Sequence, residues 1–370
     1  MAAAVPAPPL AGVRVVDFTE LLPGPFLTQT LVEFGAEVTK VERPPAGDPV
    51  RLSSPGLFAA VNRGKSSRML DLKSERGQAE ARALCLRADV VVEGFRPGVM
   101  ARFGLDHPTL AGDNPGLIYA SLSGYGQDGP EAATPGHDLN YLASAGITAL
   151  TGEPDGEPAH GYGVPVADLA GATYGLVAIL AALHQRSASG CGQYLDVALA
   201  EAPLHWLNAR LGPFRHNGAD TLASQRRHAL TRPAYGVFRC RDGRHVTVAA
   251  LETHFWTALV RALDLGAFAA PRFEEIRTRW DEADRVNAAL ADVIAALDRD
   301  ECLRRLAEAD VPAGPVLEPN EALASPQAVA RAVAAESATG ALVRFPVRLA
   351  GMGPPPEAAP ALGAEAPRAG

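Results

Sequence analysis

Val13-Arg14-Val15-Val16-Asp17-Phe18, then Pro23-Gly24-Pro25, then Gly35-Ala36-Glu37-Val38: these three short runs decide the architecture. The first is rich in β-branched residues and reads as a strand. Pro23 and Pro25 suit the first turn of a helix, which runs to about Phe34 and stops at Gly35. Ala36 to Val41 reads as the next strand. A strand–helix–strand unit with links this short is the signature of a parallel sheet.

The pattern continues outward. Met69 to Leu72 reads as a short strand, Glu75 to Arg87 as a helix, and Ala88-Asp89-Val90-Val91-Val92-Glu93 as a strand buried on both faces. Leu117 to Leu122 is a further strand. The expectation is an α/β protein whose large domain is a Rossmann-like open parallel sheet with helices on both faces. Val166 to Arg186 reads as a buried helix, Tyr194 to Val197 as a strand and Ala200 to Arg210 as a helix. The polar, Arg/His-rich stretch from Gly212 to Arg232 reads as an irregular linker and binding loop. Tyr235–Arg239 and His245–Ala250 flank Asp242-Gly243, a hairpin signal. Helical patterns follow at Glu252–Leu263, Asp281–Leu297 and Arg299–Ala309, giving a smaller α+β domain. Pro319 to Ala335 leads back to the first domain, where Val343 to Leu349 adds a strand, and Pro354 to Gly370 is a loose tail. The domain boundaries expected are therefore 1–210 completed by 325–370, a linker over 211–234, and a small domain over 235–324.

Composition limits the partners. The 370 residues are 47% apolar and 21% charged, as in a soluble globular protein of two domains. A net charge of −8 with no dense Lys/Arg stripe argues against nucleic acid, yet leaves room for a local basic pocket for a small anion. Cys85, Cys191, Cys240 and Cys302 form no CxxC pair, so they read as free thiols rather than zinc or redox ligands. Met1 to Leu10 lacks the layout of a signal peptide. The best bilayer candidate, Leu169 to Leu183, is short and interrupted by glycine. The chain reads as cytoplasmic, without membrane contact.

Several motifs occur in a distinctive order: Leu10-Ala11-Gly12-Val13, Val41-Glu42-Arg43-Pro44, Asn62-Arg63-Gly64-Lys65, Glu93-Gly94-Phe95-Arg96-Pro97-Gly98, Leu122-Ser123-Gly124-Tyr125-Gly126 and Gly136-His137-Asp138-Leu139-Asn140-Tyr141. In this order, over nearly the whole chain, they resemble the family III CoA-transferase (CaiB/BaiF-like) superfamily, which includes alpha-methylacyl-CoA racemases. The resemblance implies an interlocked homodimer, an acyl-CoA thioester as substrate, and no metal or redox cofactor. Coenzyme A carries a diphosphate and a 3′-phosphate, which need cationic or N–H donors. Arg43, Arg63, Lys65 and Arg96 lie in loops near strand ends and are the candidates; for each, a solvated surface charge is the alternative. Tyr125, between two glycines, can pack on the nucleotide or thioester arm, or be an ordinary turn aromatic. Asp138 completes the binding set.

The resemblance places a catalytic aspartate at Asp168, in Val164-Pro165-Val166-Ala167-Asp168; an aspartate before an apolar helical run is otherwise an ordinary N-cap. His137 points to the racemase branch, with a helix-entry histidine preceding an Asp138 N-cap as the plainer reading. Glu252 matches the glutamate that partners that histidine, or is a first-turn glutamate favoured by the helix dipole. Inverting the carbon next to a thioester carbonyl needs an acid/base group on each face, the part assigned to His137 and Asp168, with Glu252 holding the imidazole tautomer. The alternative is CoA transfer, in which Asp168 attacks the thioester carbonyl and becomes an aspartyl-CoA intermediate. Arg232-Pro233-Ala234-Tyr235-Gly236-Val237-Phe238 resembles the transferase pattern more than the racemase one, and Thr253 stands where the racemase branch usually has a proline after the glutamate. A non-catalytic acyl-CoA-binding protein has no need of the three groups together.

Overall fold

The computed structural model describes residues 6–161, 163–335, 340–356 and 358–364. The chain divides into two compact units: residues 1–148, 160–208 and 329–370 form the first, and 149–159 with 209–328 the second.

In the first unit the order is β1 (Arg14–Asp17), α1 (Pro23–Glu33), β2 (Glu37–Glu42), the short helices α2 (Val50–Ser53) and α3 (Pro55–Val61), β3 (Ser66–Met69), α4 (Glu75–Cys85), β4 (Val90–Glu93), α5 (Val99–Arg102), α6 (His107–Ala111), β5 (Ile118–Ser123), α7 (Asp138–Ser144), α8 (Val166–Ser189), β6 (Gln193–Ala198) and α9 (Glu201–Trp206). The six strands form one sheet in the order β3-β2-β1-β4-β5-β6, every pair parallel. The strand order reverses between β1 and β4, and a doubly wound sheet opens a crevice beyond the carboxyl ends at such a point. The expected Rossmann-like architecture is observed.

Alternation along the strands divides the core in two. Val15, Val38, Val90, Val92, Ile118 and Leu122 face Leu27 and Leu31 of α1 and Leu176 and Ile179 of α8. Val16, Val41, Val91 and Tyr119 face Ala81 and Cys85 of α4, Met100 of α5 and Leu110 of α6. Helix α8 lies close on α1 because Gly175 has no side chain there: a Cβ would stand 2.7 Å from Leu27 Cδ1. It runs 24 residues, from the expected start at Val166 past the expected end at Arg186 to Ser189, and by length and composition alone it is long and apolar enough to cross a bilayer. Here Ala170, Ala172, Leu176, Ile179 and Ala182 are buried in the unit's core.

A charged knot lies beneath the carboxyl ends of the strands. Lys65 and Asp17 are both fully buried, with Lys65 Nζ 3.1 Å from Asp17 Oδ2. The ammonium also donates to Thr28 Oγ1 at 2.7 Å, Asn62 Oδ1 at 2.8 Å and the Pro25 carbonyl at 3.0 Å. Lys40, equally buried, pairs with Asp48 at 3.0 Å and donates to the Thr19 carbonyl at 2.6 Å. Burial alone would raise the Asp17 carboxyl, but the charges of Lys65 and Lys40 and the hydroxyls of Thr19 and Thr28 outweigh it and hold it at about 2. Burial pulls Lys65 down to about 8 against the attraction of Asp17. Breaking one partner of such a pair leaves an uncompensated buried charge. Lys65→Met should therefore cost about 3–5 kcal/mol of stability in urea unfolding; an unchanged midpoint would mean that Asp17 finds solvent.

In the second unit come α10 (Asn208–His216), α11 (Leu222–Leu230), β7 (Tyr235–Arg239), β8 (His245–Ala249), α12 (Thr253–Ala262), α13 (Ile276–Asp281), α14 (Ala283–Ala295), α15 (Arg299–Glu308), β9 (Ala313–Pro315) and α16 (Pro319–Ala324). The β7–β8 hairpin turns at Gly243, φ +81°, and β9 adds a third antiparallel strand. Trp256, Leu259, Phe273, Leu290, Ile294 and Leu306 pack against Val246 and Val248.

Three sequence expectations are corrected. The stretch 212–232 is largely helical. Thr221 caps α11 by accepting from Ser224 N at 3.2 Å, and Arg226 is buried, giving hydrogen bonds to the carbonyls of Ala149 at 2.7 Å and Gly156 at 2.8 Å. An arginine satisfied by carbonyls mimics a solvated loop in sequence. Strand β3 is Ser66–Met69 rather than 69–72, because an edge strand tolerates Ser and Arg on its open side. Val343 to Leu349 adds nothing to the large sheet. After α17 (Pro326–Ala330), the strands among the described residues are β10 (Ala334–Ala335) and β11 (Leu342–Val343), which pair antiparallel with each other. Phe345 instead packs its ring on Phe34 at 4.8 Å.

Candidate active site

At the sheet reversal a cleft of about 480 Å³ opens in the first unit. It is lined by Thr19, Glu20 and Gly24 after β1, Gly94, Phe95 and Arg96 after β4, Ser123 and Gly124 at the end of β5, and His137, Asn140, Tyr141 and Asp168. His137 and Asp168 thus share one cavity.

His137 is the N-cap of α7, extended at φ −130°, ψ 174°, with its backbone N–H bonded to Asn140 Oδ1 at 3.0 Å. Its side chain is exposed toward the cleft. Asp138 begins α7 instead of capping it. Its carboxylate reaches the start of α8, where Oδ1 accepts the N–H groups of Ala167 at 2.6 Å and Asp168 at 3.1 Å. Helix α8 begins after Pro165, which offers no side-chain cap, so Asp138 satisfies donors that would otherwise be orphaned.

Asp168 is the third residue of α8 rather than its N-cap. Its carboxylate accepts no hydrogen bond among the described residues. Burial, then the nearby negative charge of Asp138, pushes it up to about 7. A carboxyl that binds its proton more tightly in the folded chain than in the unfolded one, where it titrates near 3.9, draws a proton into the native state between those values. Its stabilising contribution is complete below about pH 4 and is lost as pH rises through 7. The melting temperature of the protein should therefore fall relative to that of Asp168→Asn between pH 4 and 8; parallel profiles would place the carboxyl in bulk solvent. Tyr141 donates to the Gly136 carbonyl at 2.6 Å, and burial followed by Asp168 pushes its phenol up to about 12.

The other candidates separate. Arg96 is exposed on the cleft wall and makes no ion pair or hydrogen bond among the described residues, so its guanidinium is free for an anion. Arg43 is exposed and lies 3.5 Å from Glu20, a lining residue. Tyr125 stacks edge-on with Tyr141, centroids 5.3 Å apart, and lines a neighbouring hollow with Asp128 and Glu131. Arg63 and Lys65 are corrections: Arg63 turns inward to Glu33 at 2.8 Å with its side chain 5% exposed, and Lys65 is sealed on Asp17. Neither meets a solvent-borne phosphate. Glu252 stands exposed in the second unit as the N-cap residue of α12. Sequence reasoning gave no role to Ser123 or Tyr141, although both fall inside motifs it singled out.

The fold and site are those of an α/β enzyme: a parallel sheet with a cleft at its reversal, lined by an exposed arginine, an imidazole and a largely buried carboxyl. Residues 10–366 match CoA-transferase family III, and the chain belongs to that family. It is 36% identical over 361 residues to the acetyl-CoA:oxalate CoA-transferase of Acetobacter aceti, covering 96% of this chain and 92% of that protein. It is 35% identical over 325 residues to the alpha-methylacyl-CoA racemase of Mus musculus, covering 85% and 79%. Among solved structures, a CaiB/BaiF family protein from Brucella suis superposes with a TM-score of 0.84 at 32% identity, covering 97% of each chain.

Proposed function

We propose that the protein epimerises the α-carbon of 2-methylacyl-CoA thioesters. The observation that carries this reading is the pairing of an imidazole and a carboxyl held near neutrality on one cleft. In one direction His137 takes the α-proton, the electron pair passes into the thioester carbonyl as an enolate, and protonated Asp168 returns a proton to the opposite face. In the other direction the carboxylate takes and the imidazolium gives. With the carboxyl at about 7, both starting states are populated at neutral pH, which a reversible exchange needs. Because Asp138 occupies the first amides of α8, donors for the enolate oxygen are best sought at the start of α7, where the Asp138 and Leu139 N–H groups precede the first turn's bonds from Asn140 and Tyr141 to the His137 carbonyl. Arg96 is suited to a phosphate of the CoA moiety. The resemblance's further assignments, Glu252 as partner of the imidazole and assembly as a homodimer, belong to the same reading.

A second reading, CoA transfer through Asp168, is favoured by the names of several relatives, including the succinate–glutarate CoA-transferase of Agrobacterium fabrum at 34% identity. There the carboxylate attacks the thioester carbonyl and CoA thiolate leaves a mixed anhydride. The thiolate then attacks the aspartyl carbonyl, releasing the donor carboxylate and leaving an aspartyl thioester. Incubation with a single epimer of a 2-methylacyl-CoA in deuterated water separates the two. Deuterium uptake at the α-carbon with loss of configuration supports epimerisation. No uptake, with CoA passing to an added carboxylate, overturns it in favour of transfer.

A further inference from the structure

Ser123 closes β5 and lines the cleft that holds His137 and Asp168. It is 8% exposed, and its backbone carbonyl is occupied by the Leu199 N–H at 2.9 Å. Its hydroxyl, although buried, has no partner among the described residues. The hydroxyl of Ser121, on the same strand, is by contrast engaged with Glu93. A buried hydroxyl left unpaired is unfavourable and calls for an explanation. Gly124 follows it directly, and the missing Cβ leaves room for the Tyr141 ring, which a Cβ would approach to 2.7 Å; Gly94, whose Cβ would stand 3.7 Å from the Leu122 carbonyl, adds a second small residue to the lining. A neutral hydroxyl among small and aromatic lining residues fits an uncharged chain carrying amides better than it fits a phosphate.

Resting on the acyl-CoA reading, we infer that Ser123 is a substrate-binding residue whose hydroxyl donates a hydrogen bond to the amide carbonyl nearest the sulfur of the thioester arm. The test compares two truncated thioesters of one 2-methylacyl group, the N-acetylcysteamine ester, which keeps that amide, and the propanethiol ester, which lacks it. Ser123→Ala should lower kcat/KM for α-deuterium exchange about tenfold on the first and leave the second unchanged, with melting temperature as the check on folding. Equal losses on both esters would mean a structural role and overturn the inference. No loss on either would mean that water satisfies the hydroxyl, and overturns it as well. A parent protein that turns over neither these esters nor a full acyl-CoA overturns the acyl-CoA reading itself.

Discussion

Asp168→Asn should reduce turnover by a factor on the order of 10⁴ or more while acyl-CoA still binds. The substitution changes little in shape, and the start of α8 keeps its support because Asp138 bonds the backbone of Ala167 and Asp168, not the side chain that is altered. What is lost is the ionisable oxygen. An amide neither donates a proton to an enolate nor attacks a thioester carbonyl, so both chemistries fail together. Arg96 and Ser123, both on the cleft lining, are untouched, so binding measured by calorimetry should stay within a few-fold. A variant that keeps a tenth of the activity would remove Asp168 from the reaction altogether.

His137→Ala is the more discriminating substitution. If the cleft exchanges protons on two faces, deleting the imidazole should cost about 10²–10⁴ in racemisation. Deuterium exchange by Asp168 from its own face should be less affected than inversion, so the products should keep their configuration. If Asp168 is a nucleophile, the same variant should retain CoA transfer within a few-fold, because nothing in that sequence passes through the ring. The imidazole is exposed at the head of α7, anchored through its backbone N–H on Asn140, so its removal leaves no cavity in the core. Loss of inversion with an unchanged melting temperature is the expected pair of results; unimpaired inversion would end the two-base mechanism.

Much of this was legible in the sequence because the signals are local. The β-branched run at Val13–Phe18, the prolines at the head of α1 and the stop at Gly35 each act within a few residues, and they suffice to set out a parallel sheet. The Asp242-Gly243 hairpin is local in the same way. The expectations that failed depend on partners far along the chain. Lys65 reads as a loop cation until Asp17, forty-eight positions earlier, is seen to face it. A signal did exist: an aspartate ending an apolar strand that sits inside a sheet needs a buried counter-charge. Arg63 and Arg226 escaped for the same reason, one claimed by Glu33 and the other by main-chain oxygens some seventy residues away. Within the site, the types and order of His137, Asp138 and Asp168 were legible. The division of labour between the two aspartates was not, since it depends on which of them reaches the start of α8.

That division has a consequence for how the site is tuned. The head of a helix normally makes a neighbouring carboxyl a stronger acid. Here the first amides of α8 are already taken by the side chain of Asp138 on another helix, and burial, followed by the charge of that neighbour, lets Asp168 hold its proton almost to neutrality. On the proposed reading, the working pH is set first by the burial of Asp168 and then from behind the reaction, by a side chain outside the cleft lining. Exchanging Asp138 then moves the carboxyl part of the way back toward its ordinary range without touching a group assigned to the substrate.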